Sequence, residues 1–123
     1  MTESLFDTEF RVGTVVDAEA FPETDKPKMA KLWIDLGDEN PTDDENAAAD
    51  ENPTANVQSA AQTGYNYDPS DLVGRQVLCA TTLGTVRIAG FESEVLVVGV
   101  PDEDGHPVLV GPDSDVPDGG RLY

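Results

Sequence analysis

The sequence predicts an all-β fold, a small closed barrel of five strands with one short helix between the third and fourth. Three features predict it. The apolar segments are short and rich in β-branched residues, turn residues separate them, and only one stretch reads as helical. Closing a small sheet on itself removes its unpaired edges, which makes a barrel the economical arrangement.

The elements follow in order. Phe10 to Ala18 (FRVGTVVDA) reads as the first strand, with Gly13 as a bulge or tight bend. Lys31 to Leu36 (KLWIDL) alternates, setting Leu32, Ile34 and Leu36 on one face against Lys31, Trp33 and Asp35 on the other. Asn56 to Gln62 is a weaker third strand. Asp68-Pro69-Ser70-Asp71-Leu72 then reads as a capped helical turn, with Asp68 as N-cap and Pro69 at the first helical position, where no N–H is missed. Gln76 to Thr82 and Glu94 to Val100 are the fourth and fifth strands. Asp104-Gly105 is a hairpin turn leading into Pro107 to Val110.

The 123 residues suit one domain, 1–123, enclosing one modest core. The segment 38–56 differs in kind. Asp-Glu-Asn-Pro-Thr occurs at 38–42 and again at 50–54 around an acidic, alanine-rich filler. Such a low-complexity stretch has little apolar surface to pack and reads as a loop insert between the second and third strands.

Charge is the dominant compositional feature: 25 acids against seven bases give a net charge of −18. The insert contributes seven acids and no base, so −11 remains outside it and the acid is distributed. At that density self-repulsion opposes compaction in dilute buffer. Molar salt shortens the Debye length to about 3 Å and removes most of the penalty. The composition therefore predicts adaptation to a very salty cytoplasm. No apolar run approaches the roughly 20 residues of a membrane-spanning helix. The acidic, polar first residues do not resemble a secretory signal. Cys79 is the single cysteine, which excludes an internal disulfide.

Catalytic signatures are lacking. His106 stands alone beside a hairpin turn, Cys79 lies within an apolar strand as a small core residue, and no glycine-rich phosphate loop occurs. Asp113-Ser114-Asp115 lacks the glycine and glutamate of a calcium loop. The expectation is a protein that is not an enzyme and carries no metal or cofactor.

Several blocks, read in order, resemble the CsaA family, whose domain also occurs at the C-terminus of many methionyl-tRNA synthetases. They are Phe10-Arg11-Val12-Gly13-Thr14-Val15-Val16, Lys26-Pro27 with Lys31 to Gly37, Ser59-Ala60-Ala61-Gln62, and Leu72-Val73-Gly74-Arg75-Gln76-Val77. Arg87 to Leu96, Asp104-Gly105 and Val116-Pro117-Asp118-Gly119 complete the set. The resemblance implies an OB-fold barrel, a homodimer, tRNA binding and, as a second activity, a chaperone role toward unfolded or exported polypeptides. An aminoacyl-tRNA synthetase is a further implied partner.

An OB fold grips nucleic acid on the face of its second and third strands and in the adjoining loops. Trp33 points outward there, either as a stacking surface for a base or as a packing residue under the acidic loop or in a subunit contact. Lys26, Lys28 and Lys31 are all the lysines of the chain, gathered beside that strand. They suit phosphate contact, the alternative being a solvated turn neutralised by Glu23 and Asp25. Arg75 and Arg87 are further cations. Because electrostatic attraction weakens steeply with salt, Gln58, Ser59 and Ser93 are expected to add close hydrogen bonds. Leu5, Phe6, Phe10, Val116, Leu122 and Tyr123, at the chain ends, are the expected dimer contact.

Overall fold

The structure, a computed structural model, describes residues 8–37 and 56–123. Strand propensity and turn residues set nine short strands and one helical turn among them. They are β1 (Phe10–Ala20), β2 (Ala30–Asp35), β3 (Val57–Ala61), α1 (Pro69–Leu72), β4 (Gln76–Ala80), β5 (Val86–Ile88), β6 (Phe91–Ser93), β7 (Leu96–Val97), β8 (Gly99–Pro101) and β9 (Pro107–Leu109). Five form one antiparallel sheet in the order β3-β2-β1-β4-β7. Its two outer strands meet where the Gln58 carbonyl accepts N–H bonds from Glu94 at 2.7 Å and Val95 at 3.3 Å. This nearly closed five-stranded barrel is the expected architecture. The acidic insert, apart from Asn56, lies outside the described residues, as do Leu5 and Phe6.

The period-2 pattern of β2 drives the core. Leu32, Ile34 and Leu36 are fully buried, together with Val15, Val57, Leu72, Val77 and Cys79. Each large aliphatic side chain so enclosed contributes about 1.5–3 kcal/mol. Burial in this apolar setting pushes the Cys79 thiol up to about 12. α1 starts at Pro69 after an extended Asp68, as expected, and drops Leu72 into the core. The Asp68 carboxylate accepts the Ser70 hydroxyl instead of capping a helix N–H.

β1 serves two partners. Phe10 to Thr14 pair with β4, and Thr14 to Ala20 pair with β2, with the register slipping between Val15 and Asp17. The bulge therefore falls beside Val16 and not at the expected Gly13. Along the first half of β1, the C-terminal segment fills the remaining edge: the Val12 N–H donates to the Gly120 carbonyl, the Gly119 N–H to Val12 and the Leu122 N–H to Phe10.

The fifth expected strand, Glu94 to Val100, divides into β7 and β8. At the break, Val98 donates to the Leu78 carbonyl and accepts from the Val110 N–H, and the chain turns into the β8–β9 hairpin. Asp102 closes that hairpin, its Oδ1 accepting the N–H groups of Asp104 at 2.8 Å and His106 at 2.9 Å. A further hairpin, β5–β6, had no counterpart in the sequence reading. Its tip is Ala89 (φ 48°) and Gly90 (φ 84°), the two consecutive positive φ values of a tight two-residue hairpin turn.

Candidate nucleic-acid interface

β2, β3, the loop 21–29 and the β5–β6 hairpin build one composite face. Alternation along β2 turns Lys31 and Trp33 outward while Leu32 and Ile34 point in. β3 lies beside them in register, with Trp33 opposite Gln58 and Lys31 opposite Ala60. The hairpin is tied to β3 mainly by side chains. Gln58 Nε2 donates to the Glu92 carbonyl at 2.9 Å, the Ala60 N–H donates to Ser93 Oγ at 3.0 Å, and the Gln58 N–H donates to the Glu94 carboxylate at 2.9 Å.

An aromatic cluster occupies the centre of the face. Trp33 meets Phe91 edge-on, with ring centroids 5.7 Å apart at 81°, and Phe91 meets Phe21 at 5.5 Å and 68°. The Trp33 indole N–H donates to Gln58 Oε1 at 3.2 Å. Trp33 is half-buried on this face. Beside the cluster, Lys26 and Met29 from the loop face Ile88 and Ala89 from the hairpin tip across an open groove of about 390 Å³. Lys26 and Lys28 are both exposed, and both line an adjoining groove with Phe21. Lys28 adopts a left-handed backbone (φ 63°), and its carbonyl accepts the Gly64 N–H at 2.9 Å.

The structure distributes the expected site residues as follows. Lys26, Lys28, Lys31, Trp33 and Gln58 come together on this face. Arg87 lies on the hairpin, exposed and paired with Glu92 at 2.7 Å. Arg75 stands elsewhere, over the Tyr67 ring at 5.2 Å, just past α1. Ser59 and Ser93 are corrected. Ser59 is fully buried beneath the sheet, and Ser93 is buried with its hydroxyl spent on Ala60 and Val95. Neither hydroxyl reaches a ligand on the outer face; Ser93 pins the hairpin instead. Phe21 and Phe91 are the aromatic residues that the sequence reading missed. The Ala-Gly pair between Val-Arg-Ile and Phe-Glu-Ser, read as a hairpin tip, is the signal that locates Phe91.

Elsewhere, Asp102, Asp104 and His106 place ligand-type atoms within 4.8 Å of one another. The Asp102 carboxylate is already engaged by Asn66 and the turn N–H groups, and His106 stacks on Tyr65 at 3.7 Å, so the group acts as a hairpin closure. Hydrogen bonds from Asn66 and from the backbone of His106 and Asp104 hold the Asp102 carboxyl below its ordinary pKa. Among the described residues no helix is long and apolar enough to cross a membrane.

The fold has counterparts among solved structures. The chaperone CsaA of Bacillus anthracis has a solved structure 31% identical to this chain, covering 100% of both chains with a TM-score of 0.76. The CsaA chaperone of Picrophilus torridus is 28% identical, over 95% of this chain and 92% of its own, with a TM-score of 0.74. A methionine–tRNA ligase of Methanocaldococcus jannaschii is 32% identical over 93% of this chain, which spans only 15% of that enzyme. The family described as "Putative tRNA binding domain" matches residues 10–121, and the chain belongs to that family.

Proposed function

We propose that this chain is a tRNA-binding module that performs no catalysis itself and works in concentrated salt. The observation that carries the reading is the juxtaposition of Trp33 and Phe91 on the outer face with Lys26 and Lys28 on the adjoining rim. Aromatic faces stack on bases whatever their sequence, and lysines meet phosphates. Family membership points the same way. Gln58, Arg75 and Arg87 supply further polar contacts in this reading. With −18 net charge, long-range attraction of an RNA is absent, so binding rests on these short-range contacts.

The module is one domain, 1–123, with 38–56 as a loop insert. It acts as a homodimer in the cytoplasm, where tRNA is found, and serves an aminoacyl-tRNA synthetase in trans. For the dimer, support comes from the Leu122 N–H bond to the Phe10 carbonyl, which sets two of the expected contact residues side by side, and from Gln76, which holds Val116 through bonds to its N–H and carbonyl. Tyr123 is 90% exposed, and Val116 and Leu122 are exposed as well. Leu5 and Phe6, the remaining expected contact residues, lie outside the described residues.

A second reading, binding of unfolded polypeptides, draws on exposed Leu83, Val86, Val100 and Val108 and on the likeness to CsaA chaperones. Filter binding at molar potassium chloride against total tRNA and against an unfolded polypeptide separates the two. The tRNA arm should retain the protein, and Trp33→Ala should weaken that binding by about 5- to 150-fold, the range of one lost stacking contact. Retention of the polypeptide alone would favour the chaperone reading, and indifference to both ligands would remove both.

A further inference from the structure

The three lysines on this face are not equivalent. Lys26 and Lys28 are exposed, whereas the Lys31 side chain is only 25% exposed. Its ammonium lies 4.8 Å from the Phe21 centroid and 5.3 Å from the Phe91 centroid, above a ring pair that is itself in edge contact. It also approaches the Glu19 carboxylate at 3.6 Å, a cross-strand neighbour in register on β1. Phe21 opens the loop 21–29, and Phe91 opens β6. The one cation thus touches both walls of the groove as well as β1.

The hairpin has reason to need such a clasp. β5 and β6 form their own two-stranded sheet, separate from the barrel sheet. The hairpin is attached to β3 by hydrogen bonds of the Gln58 side chain and the Ser93 hydroxyl and, just past β6, by the Glu94 N–H to the Gln58 carbonyl, while the Phe91 ring reaches Trp33 on β2. Two-stranded ribbons held this way have little stability of their own. A cation shared between a ring from each wall joins the walls without a backbone ladder.

We infer that Lys31 is a positioning residue: it clasps the hairpin to the loop 21–29 through the Phe21 and Phe91 rings, setting Phe91 against Trp33, and leaves phosphate contact to Lys26 and Lys28. The clasp itself is a property of the free protein. Its consequence for binding rests on the tRNA reading above.

The experiment has two arms. In the first, without RNA, amide hydrogen exchange is followed in wild type, Lys31→Gln and Lys31→Arg. Loss of the cation should speed exchange across Val86 to Ser93 by about three- to tenfold, the scale of one or two cation–π contacts, with β4 amides unchanged as internal control. Arginine, which also sits over rings, should restore protection. In the second arm, total-tRNA affinity is measured against potassium chloride concentration. A phosphate ligand reduces the slope of log K against log salt by roughly 0.7–0.9 when removed, and Lys26→Gln should do so. Lys31→Gln should instead lower affinity at every salt concentration along a parallel line. Unchanged hairpin exchange, or a slope loss in Lys31→Gln equal to that of Lys26→Gln, overturns the assignment. Wild type that binds no tRNA would defeat the functional reading, while the exchange arm would still decide the clasp.

Discussion

At the scale of single residues, Gly13 leaves almost no room for a side chain. A Cβ there would lie 2.5 Å from Ile34 Cγ2, 2.7 Å from Leu36 Cδ2 and 3.0 Å from the Asp35 carbonyl oxygen. The Ile34 and Leu36 side chains, which fill the barrel, press directly on the β1 backbone at this point. In an ordinary strand, alanine is favoured over glycine because it has less backbone entropy to lose. Here the sign should reverse, and Gly13→Ala should destabilise the fold by about 1–3 kcal/mol through overpacking. Urea unfolding read by circular dichroism checks it, and a stabilised variant would show that the barrel wall can yield. The same residue shows the limit of reading glycine from sequence: it marks a special position, but close approach and bulge have the same signature.

At the scale of elements, Glu9 fastens the two ends of the described barrel together. Its carboxylate accepts hydrogen bonds from Arg11 at 2.8 Å, Arg121 at 3.3 Å and the Thr81 hydroxyl at 3.0 Å, while its backbone pairs with Thr81 and Thr82. The entry to β1, the exit of β4 and the C-terminal segment so converge on one acid. Burial raises its pKa, but the bonds from Arg11 and Thr81, the Arg11 charge and the bond from Arg121 outweigh burial and leave it below the ordinary value of 4.5. A carboxyl lowered in the folded state contributes stability that is complete above its unfolded pKa and fades as pH falls through the folded one. Glu9→Gln should therefore be less stable than wild type at pH 7, by on the order of 1 kcal/mol. The gap should close as the pH is taken below about 4. Chemical denaturation at pH 7, 5 and 3 gives the comparison, and a gap that is constant or widens in acid would contradict the role given to this carboxylate.

At the scale of the whole molecule, the governing quantity is the charge of −18. Only seven bases offset the 25 acids, and the ion pairs formed by Arg11, Arg87 and Arg121 tie up three of the four arginines. Most acids therefore repel one another across the surface. Screening should relieve that repulsion, so the melting temperature should rise by several degrees between dilute buffer and 3 M salt, where the Debye length falls below about 3 Å. Melting followed by circular dichroism across that range provides the test. A flat or falling melting temperature would remove the case for adaptation to salt.

The sequence by itself determined the barrel, and much of its face, because those features are local. Period-2 alternation places Leu32, Ile34 and Leu36 inside and Trp33 outside without reference to anything distant. The Asp68-Pro69 start of α1 and the clustering of Lys26, Lys28 and Lys31 are likewise read from neighbours in the chain. Only the tertiary structure decided what those outward residues meet. A three-residue strand has too few positions to show a period, and the Ala89-Gly90 tip lacks the asparagine or aspartate that usually announces such a turn, so β5–β6 stayed hidden. With it stayed hidden the contact of Phe91 with Phe21, Trp33 and Lys31, and the burial of Ser59 and Ser93. A side chain's role here depends on which segment folds over it, and that is fixed by barrel closure, which joins residues far apart in the chain.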